Sequence, residues 1–131
     1  MFHSPPAPFS FLATLVLGGT VFISRLAFIG PGFGLDYDAW LLADAARTIA
    51  DTGQYVASRR PGYPLVEGLF ALLHGLGPWA ICSATALVSA IACVLTMGLM
   101  RRASCQAATA SSLCLAFTPI VWLSSVTAMD Y

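Results

Sequence analysis

In 131 residues this sequence places 58% hydrophobic and only 9% charged side chains, where soluble domains carry about 25% charged residues. A water-exposed globular surface is excluded by that balance, and a formal net charge of zero from six basic and six acidic residues argues against nucleic acid as a partner, because no basic stripe follows a phosphate backbone. The four cysteines, Cys82, Cys93, Cys105 and Cys114, lie in or beside apolar runs and form no CxxC pair, so they read as small buried hydrophobes.

In chain order, the first predicted element is FSFLATLVLGGTVFISRLAF, from Phe9 to Phe28. About 20 residues at 1.5 Å each cross a hydrocarbon core of about 30 Å. Arg25, near one end, is expected to snorkel to the interface. The rival reading is a signal peptide; the leader MFHSPPAP holds no Lys or Arg and no small-residue cleavage site follows, which favours a retained span.

A long loop, residues 29–78, comes next. Within it DAWLLADAARTIADT, from Asp38 to Thr52, has helical periodicity: Leu42, Ala46 and Ile49 share one face, and Asp44, Arg47 and Asp51 the other. Arg47 is spaced to pair with both carboxylates. Asp38 is the expected N-cap, with Asp36 just outside, and Gly53 the residue that stops the helix in a left-handed conformation. Both acids also fit an ordinary loop-and-cap role. SRRPGYP follows, Ser58 to Pro64; Arg59 and Arg60 beside Pro61-Gly62 form a rigid turn with two phosphate donors, which lipid headgroups also suit. Tyr63 to Leu76 is apolar but short, as in an interfacial or re-entrant helix, and His74 reads as an interfacial residue.

Two further spans are predicted, near residues 79–100 and 107–126, the second kinked by Pro119. Arg101-Arg102 in the short connection favours a cytoplasmic side there. The expected fold is thus all-α and integral to the membrane, with about three transmembrane helices and an amphipathic juxtamembrane helix in a long first outer loop. The N-terminus is cytoplasmic in this topology, and Asp130 lies outside with the loop.

A first span, a helix opening on Asp38, then TGQY, SRRPGYP and a later span followed by Asp130 resemble the N-terminal portion of a glycosyltransferase-C superfamily membrane enzyme. Protein O-mannosyltransferases and lipid A aminoarabinose transferases are members. The resemblance extends from Phe9 to Tyr131 and implies a location in the bacterial inner (plasma) membrane. It implies a sugar joined through phosphate to a polyprenyl lipid as donor, with the acceptor undetermined, and inversion at the sugar carbon.

On the matching positions, Asp38 falls at the family's essential first-loop acid and implies a general base. Arg60-Pro61 falls at the basic-Pro pair that contacts the donor phosphate, with Arg59 beside it. Arg47 matches a frequent arginine of the juxtamembrane helix, and Asp130 the second essential acid, an implied ligand of a divalent metal such as Mg or Mn. Where aminoarabinose transferases carry an acid before the basic-Pro pair, this chain has Arg59, and Glu67 is the nearby acid available in its place. Asp36, Arg47 and Glu67 are supporting candidates. The family continues through many more spans, so the chain is expected to be a fragment of a longer product or a truncated relic, inactive alone. Two readings compete: a small non-catalytic membrane protein that packs with partner helices through the small residues of Ala84 to Ala92, and a transporter fragment, which would more often place its acids within spans.

Overall fold

The computed structural model describes residues 11–30, 32–33 and 36–127. Among them 76% are helical and no strand occurs. The helices are α1 (Phe11–Leu26), α2 (Tyr37–Thr52), α3 (Pro64–Leu73), α4 (Pro78–Arg102), α5 (Ala108–Ala116) and α6 (Pro119–Val126), with a 3-10 turn at His74–Leu76 between α3 and α4.

The axis of the fold is α4, whose 25 residues span about 37 Å at 1.5 Å each, enough to cross a bilayer. Pro78 starts it, where a missing N–H costs nothing, and Arg101 and Arg102 occupy its last turn, where positive charge suits the negative end of the helix dipole. α1 lies antiparallel against it: Gly18 sits beside Val94, while Phe22 and Leu26 pack near Ile81, Cys82 and Ala86. The described part of α1 is 16 residues long, about 24 Å; residues 9 and 10 of the predicted run lie outside the described residues, and at the other end the helix gives way to an apolar turn after Leu26.

The expected third span is two helices. α5 runs back along α4, where the Ser112 hydroxyl donates to the Cys93 carbonyl, and a bend of 58° separates it from α6. Pro119 causes the break by supplying no N–H and by driving Thr118 into an extended conformation (φ −60°, ψ 128°). α6 then reaches the end of the bundle at which α1 stops: Trp122 meets Phe28 edge to face at 4.7 Å.

Arg25 corrects the expectation of snorkelling, for it is 0% exposed. Its guanidinium donates to the Ser125 hydroxyl, to the Val21 carbonyl at 2.8 Å and to the Ala116 carbonyl at 2.9 Å. Ala116 ends α5, and the last carbonyls of a helix lack intrahelical donors and carry the negative end of its dipole. The broken helix therefore creates the acceptor that holds the buried cation, and Arg25 staples α1 to both sides of the break.

α2 and α3 pack on each other at this same end of the bundle. Leu42 and Ala46 of α2, Phe70 of α3 and Ile81, Cys82 and Ala86 of α4 form one core cluster; a second, with Leu17, Val21, Ala90, Cys93, Met97, Ala108 and Ala116, fills the space between α1, α4 and α5. Cys82 and Cys93 are buried as expected, whereas Cys105 is half-buried and Cys114 exposed, and all four thiols are free. Ala86 and Ala90, from the small-residue stripe of α4, are used inside the fold, while Leu87, Val88, Ile91, Leu95 and Leu99 face outward.

Candidate functional site

The site is built where α2 begins. Asp36, not Asp38, is the N-cap: it is extended (φ −78°, ψ 128°), and its carboxylate accepts from the Asp38 N–H at 2.8 Å, filling one of the orphan donors of the first turn. Asp38 lies one residue inside the helix, so its own carboxylate is directed elsewhere. Gly53 stops the helix as predicted, left-handed at φ 67°, with its N–H on the Ile49 carbonyl.

Asp38 meets Arg59, whose Nη1 lies 2.5 Å from Oδ2. The same guanidinium sits 5.1 Å from the ring centroid of Tyr63, a cation–π distance. These side chains keep 26% and 31% of their surface, Arg59 and Asp38 respectively, and an ion pair this open contributes on the order of 1 kcal/mol or less. Its consequence is geometric: the first-loop acid and the arginine turn, 21 residues apart, share one place. Arg60, next in the turn, is exposed.

The turn's hydrogen bonds converge on Glu67. This carboxylate is 0% exposed and accepts four hydrogen bonds: from the Ser58 N–H and Ser58 hydroxyl on Oε1, both 2.7 Å, and from the Tyr55 hydroxyl at 2.7 Å and the Tyr63 N–H at 3.1 Å on Oε2. Burial pushes the Glu67 carboxyl up, but the bonds from Tyr55, Ser58 and Tyr63 outweigh it and hold the group below the ordinary glutamate range. The Tyr55 phenol is raised in return, first by its hydrogen bond to Glu67, then by burial and by that charge. Gly62, inside the turn, has φ 98°, and a Cβ there would collide with the Tyr55 hydroxyl, so the position demands glycine on two grounds.

Of the candidates, Asp36, Asp38, Arg59 and Glu67 thus belong to one hydrogen-bonded assembly with Arg60 at its rim. Arg47 does not join it: it pairs with Asp51 at 3.7 Å on the exposed face of α2, and no ion pair joins it to Asp44 among the described residues. Glu67 does not offer itself as a replacement metal acid, since protein donors occupy both of its oxygens. Asp130 lies outside the described residues. Among the described residues no three His, Cys, Asp or Glu side chains converge as a metal cradle.

Sequence reasoning missed Tyr55, Ser58 and Tyr63 as the donors that hold the turn. A usable signal was present in Glu67, a single acid within the apolar run Tyr63 to Leu73. Also missed was an apolar groove of about 510 Å³ between α3, α4 and α6, lined by Val66, Leu69, Phe70, Val88, Ile120 and Val121 among others. Val66 neighbours Glu67 on α3, so that short helix contributes both to the groove, through Val66, Leu69 and Phe70, and to the arginine turn, through Glu67. Comparison with protein-family models, with curated proteins and with solved structures finds no match to this chain.

Proposed function

We propose that this chain is the donor-binding, N-terminal part of an inverting membrane glycosyltransferase that takes a sugar from a polyprenyl phosphate at the outer face of the bacterial inner membrane. The observation that carries the reading is the contact between Asp38 and Arg59, which puts a carboxylate beside a two-arginine turn. An acid to receive a proton and guanidinium groups to hold a phosphate are what the reaction requires.

The bilayer part of the reading is supported by the outward face of the bundle. Large apolar side chains, including Phe11, Leu15, Ile23, Leu87, Ile91, Leu95 and Leu99, are exposed, and in water such a patch would drive association. α4 then crosses the membrane, α1 crosses with help from the apolar turn that follows it, and α5–α6 form a broken third span whose bend is tolerated because Arg25 satisfies the Ala116 carbonyl from within the bundle. α2 and α3 lie on the surface. The groove beside α3 has the size and lining for a ligand's apolar part, and we assign it to the isoprenoid tail, because α3 lines the groove with Val66, Leu69 and Phe70 and joins the arginine turn through Glu67.

In the reaction, Asp38 accepts the proton of an acceptor hydroxyl as the oxygen forms its bond to the anomeric carbon. The bond from that carbon to phosphate oxygen breaks on the opposite face, and its electron pair leaves with the polyprenyl phosphate, toward which Arg59 and Arg60 donate. Charge grows on that oxygen in an oxocarbenium-like transition state, where charge-assisted bonds count most.

The test is binding of a polyprenyl phosphate to the chain reconstituted in neutral phosphatidylcholine nanodiscs, with inorganic phosphate as competitor. Arg59→Gln with Arg60→Gln should weaken that binding by about ten-fold or more and leave reconstitution into the nanodiscs unchanged. Binding that is absent from wild type, or indifferent to both arginines, would sink the donor reading and favour a non-catalytic membrane protein.

A further inference from the structure

The residues that would touch phosphate, Arg59 and Arg60, stand on a segment with no regular structure, between a helix that has ended at Thr52 and one that begins at Pro64. Nothing in such a segment's own backbone fixes where two long side chains point, and holding them loosely would cost affinity through lost side-chain and backbone entropy. A preorganised site needs its supporting bonds from somewhere else.

Those bonds converge on one side chain. The donors to Glu67 are Tyr55, Ser58 and Tyr63, which bracket Arg59 and Arg60 on both sides in sequence. Ser58 is adjacent to Arg59, and its backbone N–H and hydroxyl are both held by one carboxylate oxygen. Tyr63 closes the turn from the other side through its N–H, and its ring lies beneath the Arg59 guanidinium. Tyr55 holds the approach to the turn and occupies the space that a side chain at position 62 would need. Glu67 itself stands on α3, one turn before Phe70, which is anchored in the core. The carboxylate thus transmits the position of a packed helix to a loop that has none of its own.

From this geometry we infer that Glu67 is the positioning residue of the phosphate site, a buried anion whose four accepted hydrogen bonds hold Arg59 and Arg60 in place for a lipid-linked phosphate. The inference rests on the donor-binding reading above. Only a carboxylate serves: it supplies acceptors on both oxygens and no donor, matching four donors. A glutamine of the same shape would turn an N–H₂ toward either the Tyr63 or the Ser58 amide and lose that bond.

The experiment uses the full chain in lipid nanodiscs, titrated with farnesyl phosphate as a short isoprenoid phosphate, with Glu67→Gln, Arg60→Gln, the double variant and Tyr55→Phe. Glu67→Gln should bind about ten-fold more weakly and Tyr55→Phe, which deletes one donor of four, about three-fold more weakly. The losses from Glu67→Gln and Arg60→Gln should not multiply, because both act on one set of contacts. Farnesyl phosphate binding that survives Glu67→Gln within about two-fold, or losses that multiply in the double variant, would overturn the positioning role while leaving the phosphate site standing. If wild type itself fails to bind, the donor reading falls and the positioning role with it. Should Glu67→Gln fail to fold, Tyr55→Phe decides: wild-type affinity in that variant counts against the proposal.

Discussion

Glu67 and Tyr55 form a pair whose titrations pull stability from opposite ends of the pH scale. The folded-state carboxyl is held below its ordinary value of 4.5, so its contribution is fully present above that value and is lost as pH falls through the lower folded value. The Tyr55 phenol is raised above 10.0; its contribution is present below that value and is lost as pH rises through the higher one. Thermal unfolding of wild type against Glu67→Gln should therefore show a gap that is widest at neutral pH and closes in acid, and Tyr55→Phe should remove the alkaline loss that belongs to this bond. A gap constant from acid to neutral pH would show that the charge on Glu67 is not what holds the turn. The residue scale is also where reading the sequence alone was weakest. Asp38 is the cap the sequence suggests because it stands nearest the periodic run, yet Asp36 has the extended backbone a cap requires, and that displacement of two residues frees Asp38 for Arg59. Glu67 reads from the sequence only as a substitute acid near the basic-Pro pair, because local spacing carries no information on what a loop nine residues earlier will bring to it.

At the scale of elements, α2 and α4 were legible for different physical reasons. α4 follows from an uninterrupted apolar run with Pro78 at its start and two arginines at its end, and α2 from a 3.6-residue period closed by Gly53. The third apolar run was readable as to its weak point, Pro119, but not as to the outcome, because whether proline kinks a helix or divides it depends on what satisfies the freed carbonyls. Here Arg25, 91 residues from Ala116, does so, and no local pattern announces a partner that far away. Arg25→Ala should therefore loosen the break itself. Hydrogen bonds from a charged donor contribute about 1.5–3 kcal/mol each, offset in part by relief from burying a charge, for a net loss of about 2 kcal/mol in denaturant unfolding. The local readout is Trp122, half-buried against Phe28; its emission should shift to the red while Trp40 and Trp79, already exposed, contribute an unchanged background. Unaltered stability and emission would mean that α5 and α6 hold their angle without the staple.

For the whole molecule, the decisive relation is which parts share an end of the bundle. α1 finishes, α4 begins and α6 approaches Phe28 at the end where α2, α3 and the arginine turn sit, whereas the α4–α5 connection lies at the other end, beyond Arg101 and Arg102. If the bundle spans a bilayer, the candidate site and the α4–α5 connection must face opposite compartments, with the basic pair on the cytoplasmic side. Gln54 and Gln106, both exposed, stand on either side of α4 and report this directly. In a background with Cys105 and Cys114 changed to serine, Gln54→Cys should react with a membrane-impermeant maleimide added to intact cells. Gln106→Cys should react only after the membrane is opened. The buried Cys82 and Cys93 should stay silent in both states and serve as the check that the bundle is intact. Labelling of both introduced thiols from one side would mean that α4 does not cross, and an acid–arginine site that must meet a lipid-linked sugar on the outer face would lose its geometry, because α4 is the sole single helix among the described residues long and apolar enough to fix which side is which.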